Sequence, residues 1–181
     1  MHTLIIGQSF VGKSALGKQI GTCLRAKGQT VLAYNPTLEH GYTKKDSFDC
    51  QAAQFESDDP DKFVAEIYRL RESGTKKIFL IIDEAHEFFT RADCKYLWIG
   101  TKGRHYGLYV IAITQRAALI SPTFRGQCSN IYIFRSNRTD MDFITNEFWY
   151  HELDKKNMNL PKGEFIKIGE NGISRGNINE W

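Results

Sequence analysis

The sequence LIIGQSFVGKSALGKQIGTCLRAK, residues 4–27, decides the fold. It begins in a short apolar run, Thr3 to Ile6, that predicts a buried strand and ends at a glycine. From Lys13 to Lys27 the apolar residues recur at helical spacing, which predicts a helix. The residues between are polar and glycine-containing. This order of strand, loop and helix is the opening unit of an α/β fold.

The loop of this unit fits a phosphate-binding pattern. Residues 7–14 match GxxxxGK[ST] at every fixed position, after a strand and at the start of a helix. Backbone N–H groups of such a loop surround phosphate oxygens, while its lysine reaches the β and γ phosphates and its serine hydroxyl contacts Mg²⁺. We therefore predict a site for ATP and Mg²⁺, with Lys13 as a catalytic residue and Ser14 as a metal ligand. The predicted phosphate-binding residues are Gly7, Gln8, Ser9, Phe10, Val11, Gly12, Lys13, Ser14 and Ala15. The alternative, an accidental glycine-rich turn, is disfavoured by the flanking strand and helix.

A second apolar strand, Lys77 to Ile82, leads directly into two acids, Asp83 and Glu84. The carboxyl ends of parallel strands form the edge at which open α/β sheets bind ligands. We predict that Asp83 holds Mg²⁺ through its water shell and that Glu84 orients and deprotonates the attacking water. The alternative is an acidic pair that caps a helix. His86 completes the string DEAH, which also occurs in superfamily 2 helicases, but those enzymes need two RecA-like domains and this length predicts one.

A third apolar strand, Leu108 to Ile113, is followed by polar residues that include Gln115. An amide at this strand end reaches the γ phosphate or its attacking water, so Gln115 is a predicted catalytic residue; the alternative is a solvated loop amide. Three arginines compete for the role of an arginine finger, which stabilises charge on the transferred phosphoryl group. We favour Arg104 or Arg125 over Arg116, although a basic segment at a helix end also fits a purely structural role.

The remaining pattern predicts a mostly parallel sheet flanked by helices, because strands alternate with helices. Further strands are predicted at 30–34 and 131–134, and helices from the cap at 58–60 to Gly74, at 93–104 and after Ser121. Turn signals on both sides of 164–168 predict a C-terminal hairpin. A length of 181 residues predicts one domain, with a core over about 1–150 and an extension over about 151–181.

Composition sets broad limits. Charged residues make up 25% of the chain and the formal net charge is +3, which neither requires nor excludes DNA as a partner. The four cysteines contain no CxxC pair, so the sequence predicts neither a zinc site nor a disulfide framework. No apolar run approaches the roughly 20 residues that span a bilayer, and we expect a soluble intracellular protein.

Four segments in order carry a family resemblance: GQSFVGKS, KKIFLIIDEAHEFFTR, GRHYGLYVIAITQR and PTFRGQCSNIYIFR. Together they resemble the FtsK/HerA superfamily of DNA-pumping ATPases, over residues 1 to about 142. Within that superfamily, the small size and the RHYG and ITQR strings look most like the genome-packaging ATPases of membrane-containing icosahedral viruses, a lineage that includes poxvirus-type enzymes. The resemblance implies a RecA-like P-loop fold, a homo-oligomeric ring that threads double-stranded DNA, and the strand-end glutamine role for Gln115.

The resemblance also implies a cellular setting. It predicts residence in the host cytoplasm and then at the packaging vertex of a virion, with capsid-vertex or membrane proteins as partners. The chain shows neither the extra domains of the larger cellular translocases nor the nuclease domain of terminases. Basic residues at Thr43-Lys44-Lys45, Arg91 and Lys95 are candidates for contact with the DNA backbone, although such a cluster is often only a solvated face.

Three functions follow from these patterns. The leading prediction is an ATP-hydrolysing translocase that packages viral double-stranded DNA into a preformed capsid. The first alternative is a nucleoside or nucleotide kinase, which has about this length and a P-loop but needs an acceptor pocket and commonly an arginine-rich lid. The second is a P-loop assembly factor of filamentous phage, a class that typically carries a transmembrane helix.

Overall fold

The computed structural model describes residues 2–38, 41–45, 50–90, 94–147 and 159–180. Its strands are β1 (His2–Ile6), β2 (Thr30–Tyr34), β3 (Phe55–Ser57), β4 (Ile78–Ile82), β5 (Leu108–Thr114), β6 (Cys128–Phe134), β7 (Glu164–Gly169) and β8 (Gly172–Asn177). They form one sheet in the order β3-β2-β4-β5-β1-β6-β7-β8. Pairings from β3 to β6 are parallel, whereas β6 with β7 and β7 with β8 are antiparallel. The mostly parallel sheet and the C-terminal hairpin are therefore confirmed.

The helices are α1 (Lys13–Ala26), α2 (Pro60–Glu72), α3 (His86–Phe89), α4 (Leu97–Thr101), α5 (Pro122–Arg125) and α6 (Arg138–Glu147). Short 3₁₀ turns lie at Gly103–Tyr106, Ala117–Leu119 and Ile178–Glu180. Helix α2 begins as its sequence predicts, because the Asp59 carboxylate accepts hydrogen bonds from the N–H groups of residues 61 and 62. Within the described ranges, no helix is both long enough and apolar enough to cross a membrane.

Two apolar layers cover the sheet, one on each face. Ile5, Ile81 and Ile113 belong to the layer that contains Leu16 of α1. Their neighbours Leu4, Leu80 and Val110 belong to the layer that contains Phe63 of α2. Successive strand residues point to opposite faces, so a strand that is covered on both sides must be apolar throughout. This explains why the three central strands are continuous apolar runs.

Two parts of the secondary structure differ from prediction. The predicted helix at 93–104 is wrong in extent: α4 covers only Leu97–Thr101, Gly103–Tyr106 is a 3₁₀ turn, and residue 93 lies outside the described residues. Gly103 packs where a Cβ would lie 3.2 Å from Leu108 Cβ, and Gly107 has a φ of 74°, so the chain turns sharply into β5. Strand β3 was not predicted because three residues give no periodic signal.

Candidate nucleotide site

Three segments meet at the carboxyl edge of the sheet. The loop of residues 7–12 follows β1, the two acids follow β4, and Gln115 follows β5, which lies between β4 and β1. Together they border a cleft of about 550 Å³. Its lining residues are Ser9, Phe10, Gly12, Lys13, Ser14, Ala15, Lys18, Asn35, Pro36, Thr37, Asp83, Glu84, Gln115 and Lys162. The structure thus brings the sequence-predicted phosphate, metal and glutamine residues to one place.

Close packing behind the loop requires the two glycines of its sequence pattern, Gly7 and Gly12. A Cβ on Gly7 would lie 2.7 Å from Phe134 Cβ, and a Cβ on Gly12 would lie 3.0 Å from Ile178 Cδ1. Between them, Phe10 has a φ of 62° although it carries a side chain, and that side chain is 90% exposed. The loop therefore holds a bulky apolar group out at the mouth of the cleft in a costly backbone conformation.

The ammonium of Lys13 lies inside the loop. Its Nζ donates a hydrogen bond to the Gln8 carbonyl oxygen at 2.7 Å, and the residue is only 8% exposed. Burial lowers the pKa of Lys13 below its ordinary value, while the charges of Asp83 and Glu84 act in the opposite direction. A buried ammonium with few partners has an unmet requirement for negative charge, and phosphate oxygens supply it.

Ser14 and Asp83 are in direct contact in the cleft. The Ser14 hydroxyl donates to Asp83 Oδ2 at 2.9 Å, and the N–H of Glu84 donates to Asp83 Oδ1 at 3.1 Å. One hydroxyl and one carboxylate are hard oxygen donors of the kind that Mg²⁺ prefers, and Mg²⁺ usually takes few protein ligands beside phosphates and water. No cluster of three or more His, Cys, Asp and Glu side chains suited to a metal occurs among the described residues. The pair therefore fits a metal ion that arrives with a nucleotide.

Glu84 is held at the opening of the site. Its φ is 51°, and its Oε1 accepts a hydrogen bond from Gln115 Nε2 at 3.0 Å. Its second oxygen lies 3.3 Å from His86 Nδ1. The backbone around it is fixed, since Ala85 N donates to the Ile113 carbonyl oxygen at 2.8 Å. This geometry places Gln115 where its amide orients the Glu84 carboxylate.

Five lining residues were not predicted from the sequence: Lys18, Asn35, Pro36, Thr37 and Lys162. Tyr42, which donates to Asp83 from behind the cleft, was not predicted either. The segment that contains Lys162 is tied to the phosphate loop, because Gly163 N donates to the Val11 carbonyl oxygen at 2.9 Å. The sequence 161–163 indicated a turn, but nothing in it indicated which part of the sheet the turn would reach. The C-terminal hairpin thus contributes a lysine to the nucleotide cleft.

The three candidate arginines lie outside the cleft lining. Arg104 is exposed and donates to Gln127 Oε1, and Arg116 Nε donates to Asp140 Oδ1 at 2.9 Å. Arg125 is 5% exposed and lies against the Phe143 ring. It donates twice to Glu147 Oε1, at 3.0 and 2.9 Å, and also to two backbone carbonyl oxygens. This environment favours a structural role for Arg125 over the predicted finger role, because its guanidinium is buried and its charge is already paired.

The candidate DNA-contact residues differ in their surroundings. Lys44 and Lys45 are exposed, next to Thr43, whose hydroxyl donates to Glu56 Oε2 at 3.1 Å. Lys95 is paired with Asp61 at 2.5 Å. Arg91 lies outside the described residues. The role of Lys44 and Lys45 in contacting a phosphate backbone stays a prediction, which their exposure allows.

A scan against protein-family models gave no match, and a search of curated proteins also found none. Solved structures do match. The genome packaging NTPase B204 from Sulfolobus turreted icosahedral virus 2, in complex with AMPPCP, aligns with a TM-score of 0.78 at 20% identity, over 96% of this chain and 95% of B204.

Two bacterial proteins align over more limited parts of their own length. ATPases 2 and 3 of Thermomonospora curvata EccC, in complex with a signal sequence peptide, give a TM-score of 0.65 at 15% identity, over 96% of this chain and 36% of EccC. The pCW3 conjugation coupling protein TcpA gives 0.58 at 16%, over 97% of this chain and 59% of TcpA. These alignments confirm the predicted fold: the chain has the RecA-like P-loop NTPase fold of these proteins, a mostly parallel sheet flanked by helices.

Proposed function

We propose that this protein is a Mg²⁺-dependent ATPase that moves double-stranded DNA into a viral capsid. The observation that carries the ATPase part is the meeting of the phosphate loop, Lys13, Asp83, Glu84 and Gln115 around one cleft. These groups supply the chemistry that phosphoryl transfer needs, which supports the proposal: amides and ammonium for the phosphates, oxygen ligands for the metal, and a carboxylate for water.

In this proposal each residue of the cleft has a separate role. The Lys13 ammonium pairs with phosphate oxygens, which satisfies its buried charge. Ser14 and Asp83 would hold Mg²⁺, which would neutralise charge on the phosphates. Glu84, oriented by Gln115, accepts a proton from the water that attacks the terminal phosphorus. The products are ADP and inorganic phosphate.

The packaging part is supported by the likeness to B204. That structure aligns over nearly the whole of both chains, whereas EccC and TcpA extend well beyond the aligned part. We propose that the whole chain acts as a single ATPase domain that assembles into a homo-oligomeric ring at the packaging vertex of a virion, after synthesis in the host cytoplasm. Lys44 and Lys45 are the proposed DNA-backbone contacts, and Arg104 is the proposed finger toward a neighbouring subunit.

Phosphate release measured with and without duplex DNA tests this function. A translocase should release phosphate from ATP, faster with duplex DNA and no faster with nucleosides, and Lys13→Ala should abolish release. ADP formation that requires a nucleoside and yields a phosphorylated nucleoside would instead establish a kinase. Nucleotide binding with no release under any condition would favour the assembly-factor alternative.

The ring requires a separate measurement. Light scattering of the Glu84→Gln variant with ATP should show an oligomer, since this variant is expected to retain bound ATP. A monomer at all protein and nucleotide concentrations would contradict the ring. Replacing Lys44 and Lys45 by glutamine should weaken DNA stimulation and reduce its dependence on salt, while basal hydrolysis stays unchanged.

A further inference from the structure

We infer that Tyr42 is a positioning residue for Asp83, holding the carboxylate in the orientation that receives the metal ion. The inference deepens the proposed function and rests on it. The Tyr42 hydroxyl donates to Asp83 Oδ2 at 3.0 Å, on the same oxygen that accepts from Ser14 at 2.9 Å. Tyr42 is fully buried, so no solvent competes for this hydrogen bond.

The position of Tyr42 is fixed by its neighbours. Its carbonyl oxygen accepts a hydrogen bond from Ala53 N at 2.9 Å. The next residue, Thr43, donates through N and Oγ1 to Glu56 Oε2 at 3.2 and 3.1 Å. These hydrogen bonds hold the backbone on which the Tyr42 side chain reaches Asp83.

The Tyr42 hydroxyl is a neutral donor, and a neutral donor beside a carboxylate makes a strong charge-assisted hydrogen bond. Such a bond fixes the plane of the carboxylate before any metal arrives, which is the role that outer partners of metal ligands commonly fill.

Contacts of Asp83 show why this third donor matters. Oδ1 is held by the N–H of Glu84, and Oδ2 is shared by Ser14 and Tyr42. Ser14 would have two roles, because its oxygen lone pair would bind the metal while its O–H donates to the carboxylate. Tyr42 has no proposed ligand of its own and acts on the carboxylate alone. Its hydrogen bond preserves the orientation of Asp83.

The substitution Tyr42→Phe tests the inference because it removes the hydroxyl and keeps the ring. The matched control is Tyr34→Phe, since Tyr34 is also buried and donates to a carboxylate, that of Glu87, which does not line the cleft. Binding of Mn²⁺ in the presence of ADP is followed by electron paramagnetic resonance, and ADP binding is measured in parallel with EDTA. We expect Tyr42→Phe to weaken Mn²⁺ binding about 10- to 100-fold. Metal-free ADP binding should stay unchanged, and Tyr34→Phe should bind Mn²⁺ like the wild type.

The possible results separate this inference from the proposed function. Equal Mn²⁺ binding by wild type and Tyr42→Phe overturns the inference and leaves the ATPase proposal intact. A wild type that binds metal and nucleotide without hydrolysis, with weakened metal binding in Tyr42→Phe, overturns the ATPase proposal and supports the positioning role. The Asp83→Asn background gives a second check: there the loss of the Tyr42 hydroxyl should have little further effect on Mn²⁺ binding, and an undiminished effect shows that the hydroxyl acts elsewhere.

Discussion

Replacing Glu84 by glutamine isolates the proton-accepting step. The amide is nearly the same size as the carboxylate, and Gln115 Nε2, now 3.0 Å from Glu84 Oε1, retains an oxygen to donate to. What is lost is the ability to take a proton from water. A positioned general base contributes about 10²- to 10⁴-fold to the rate. We therefore expect the rate of ATP cleavage to fall by about this factor, which corresponds to about 3 to 5 kcal/mol of activation free energy.

Nucleotide binding should survive the same change. The contacts that hold phosphates come from the loop, Lys13 and Ser14, and none of them uses the Glu84 side chain. Removing one negative charge from the cleft also reduces repulsion of the triphosphate, so the affinity for ATP should be equal or higher.

The assay pairs single-turnover phosphate release with equilibrium binding of ATP. Lys13→Ala is the contrasting variant, because it should lose both binding and cleavage. Glu87→Gln is the matched control, an acid three positions along the chain that accepts a hydrogen bond from Tyr34 away from the cleft lining. Normal cleavage by Glu84→Gln would refute its assignment as the base, and loss of ATP binding would refute the separation of binding from chemistry.

Three further predictions follow from the contacts. Burial lowers the pKa of His2 to about 4 from 6.5, so the folded state excludes a proton that the unfolded chain binds. The free energy of unfolding should keep its full value above about pH 6.5 and fall by up to about 3 kcal/mol as the pH drops to 4. Urea unfolding at a series of pH values checks this, and His2→Gln should make the free energy of unfolding less dependent on pH in this range. Lys162→Ala should weaken ATP binding several-fold and more at low salt, measured by titration with a fluorescent ATP analogue, whereas Lys167→Ala on the same hairpin should leave it unchanged. Arg125→Met should lower the free energy of unfolding in urea by about 3 kcal/mol, because it leaves Glu147 without its arginine partner. The control Arg104→Met should keep wild-type stability. Wild-type stability in Arg125→Met would contradict the structural role of Arg125.

Local patterns were sufficient to predict most of the fold. The phosphate loop, the acids after β4 and the glutamine after β5 are short segments whose neighbours in the chain define their structure. Parallel strands place their carboxyl ends together, so the meeting of these three segments followed from strand type alone. The positions of most strands along the chain and the C-terminal hairpin needed no information beyond periodicity and turns, whereas the order of the strands in the sheet was not predicted.

Long-range contacts were not predictable in the same way. Tyr42 lies in a polar stretch without periodicity and reaches Asp83 across 41 positions of sequence. Arg125 follows a proline-started turn, and its sequence neighbours gave no indication that Glu147 pairs with it. In both cases, the partner is determined by how elements pack, and packing is a property of the whole chain.

The described contacts also show which part of the site is fixed before a nucleotide binds. Glu84 has a φ of 51°, a conformation that costs a residue with a side chain about 1 to 2 kcal/mol. It persists because the chain is fixed on both sides: Asp83 N donates to the Tyr34 carbonyl oxygen at 2.9 Å, and Ala85 N donates to the Ile113 carbonyl oxygen at 2.8 Å. The acids are thus held in position without a nucleotide.

Lys13 is in the opposite situation. Its ammonium is bound to the Gln8 carbonyl oxygen, an oxygen of the same loop that is to receive the phosphates. An ammonium has three N–H groups, so phosphate oxygens would pair with Lys13 beside this carbonyl oxygen, and their negative charge would return the lowered pKa of Lys13 toward its ordinary value. ATP affinity should therefore be constant at pH values below the lowered pKa and decline as the pH rises above it. We therefore expect nucleotide binding to change the contacts of Lys13 and to leave the positions of Asp83 and Glu84 unchanged.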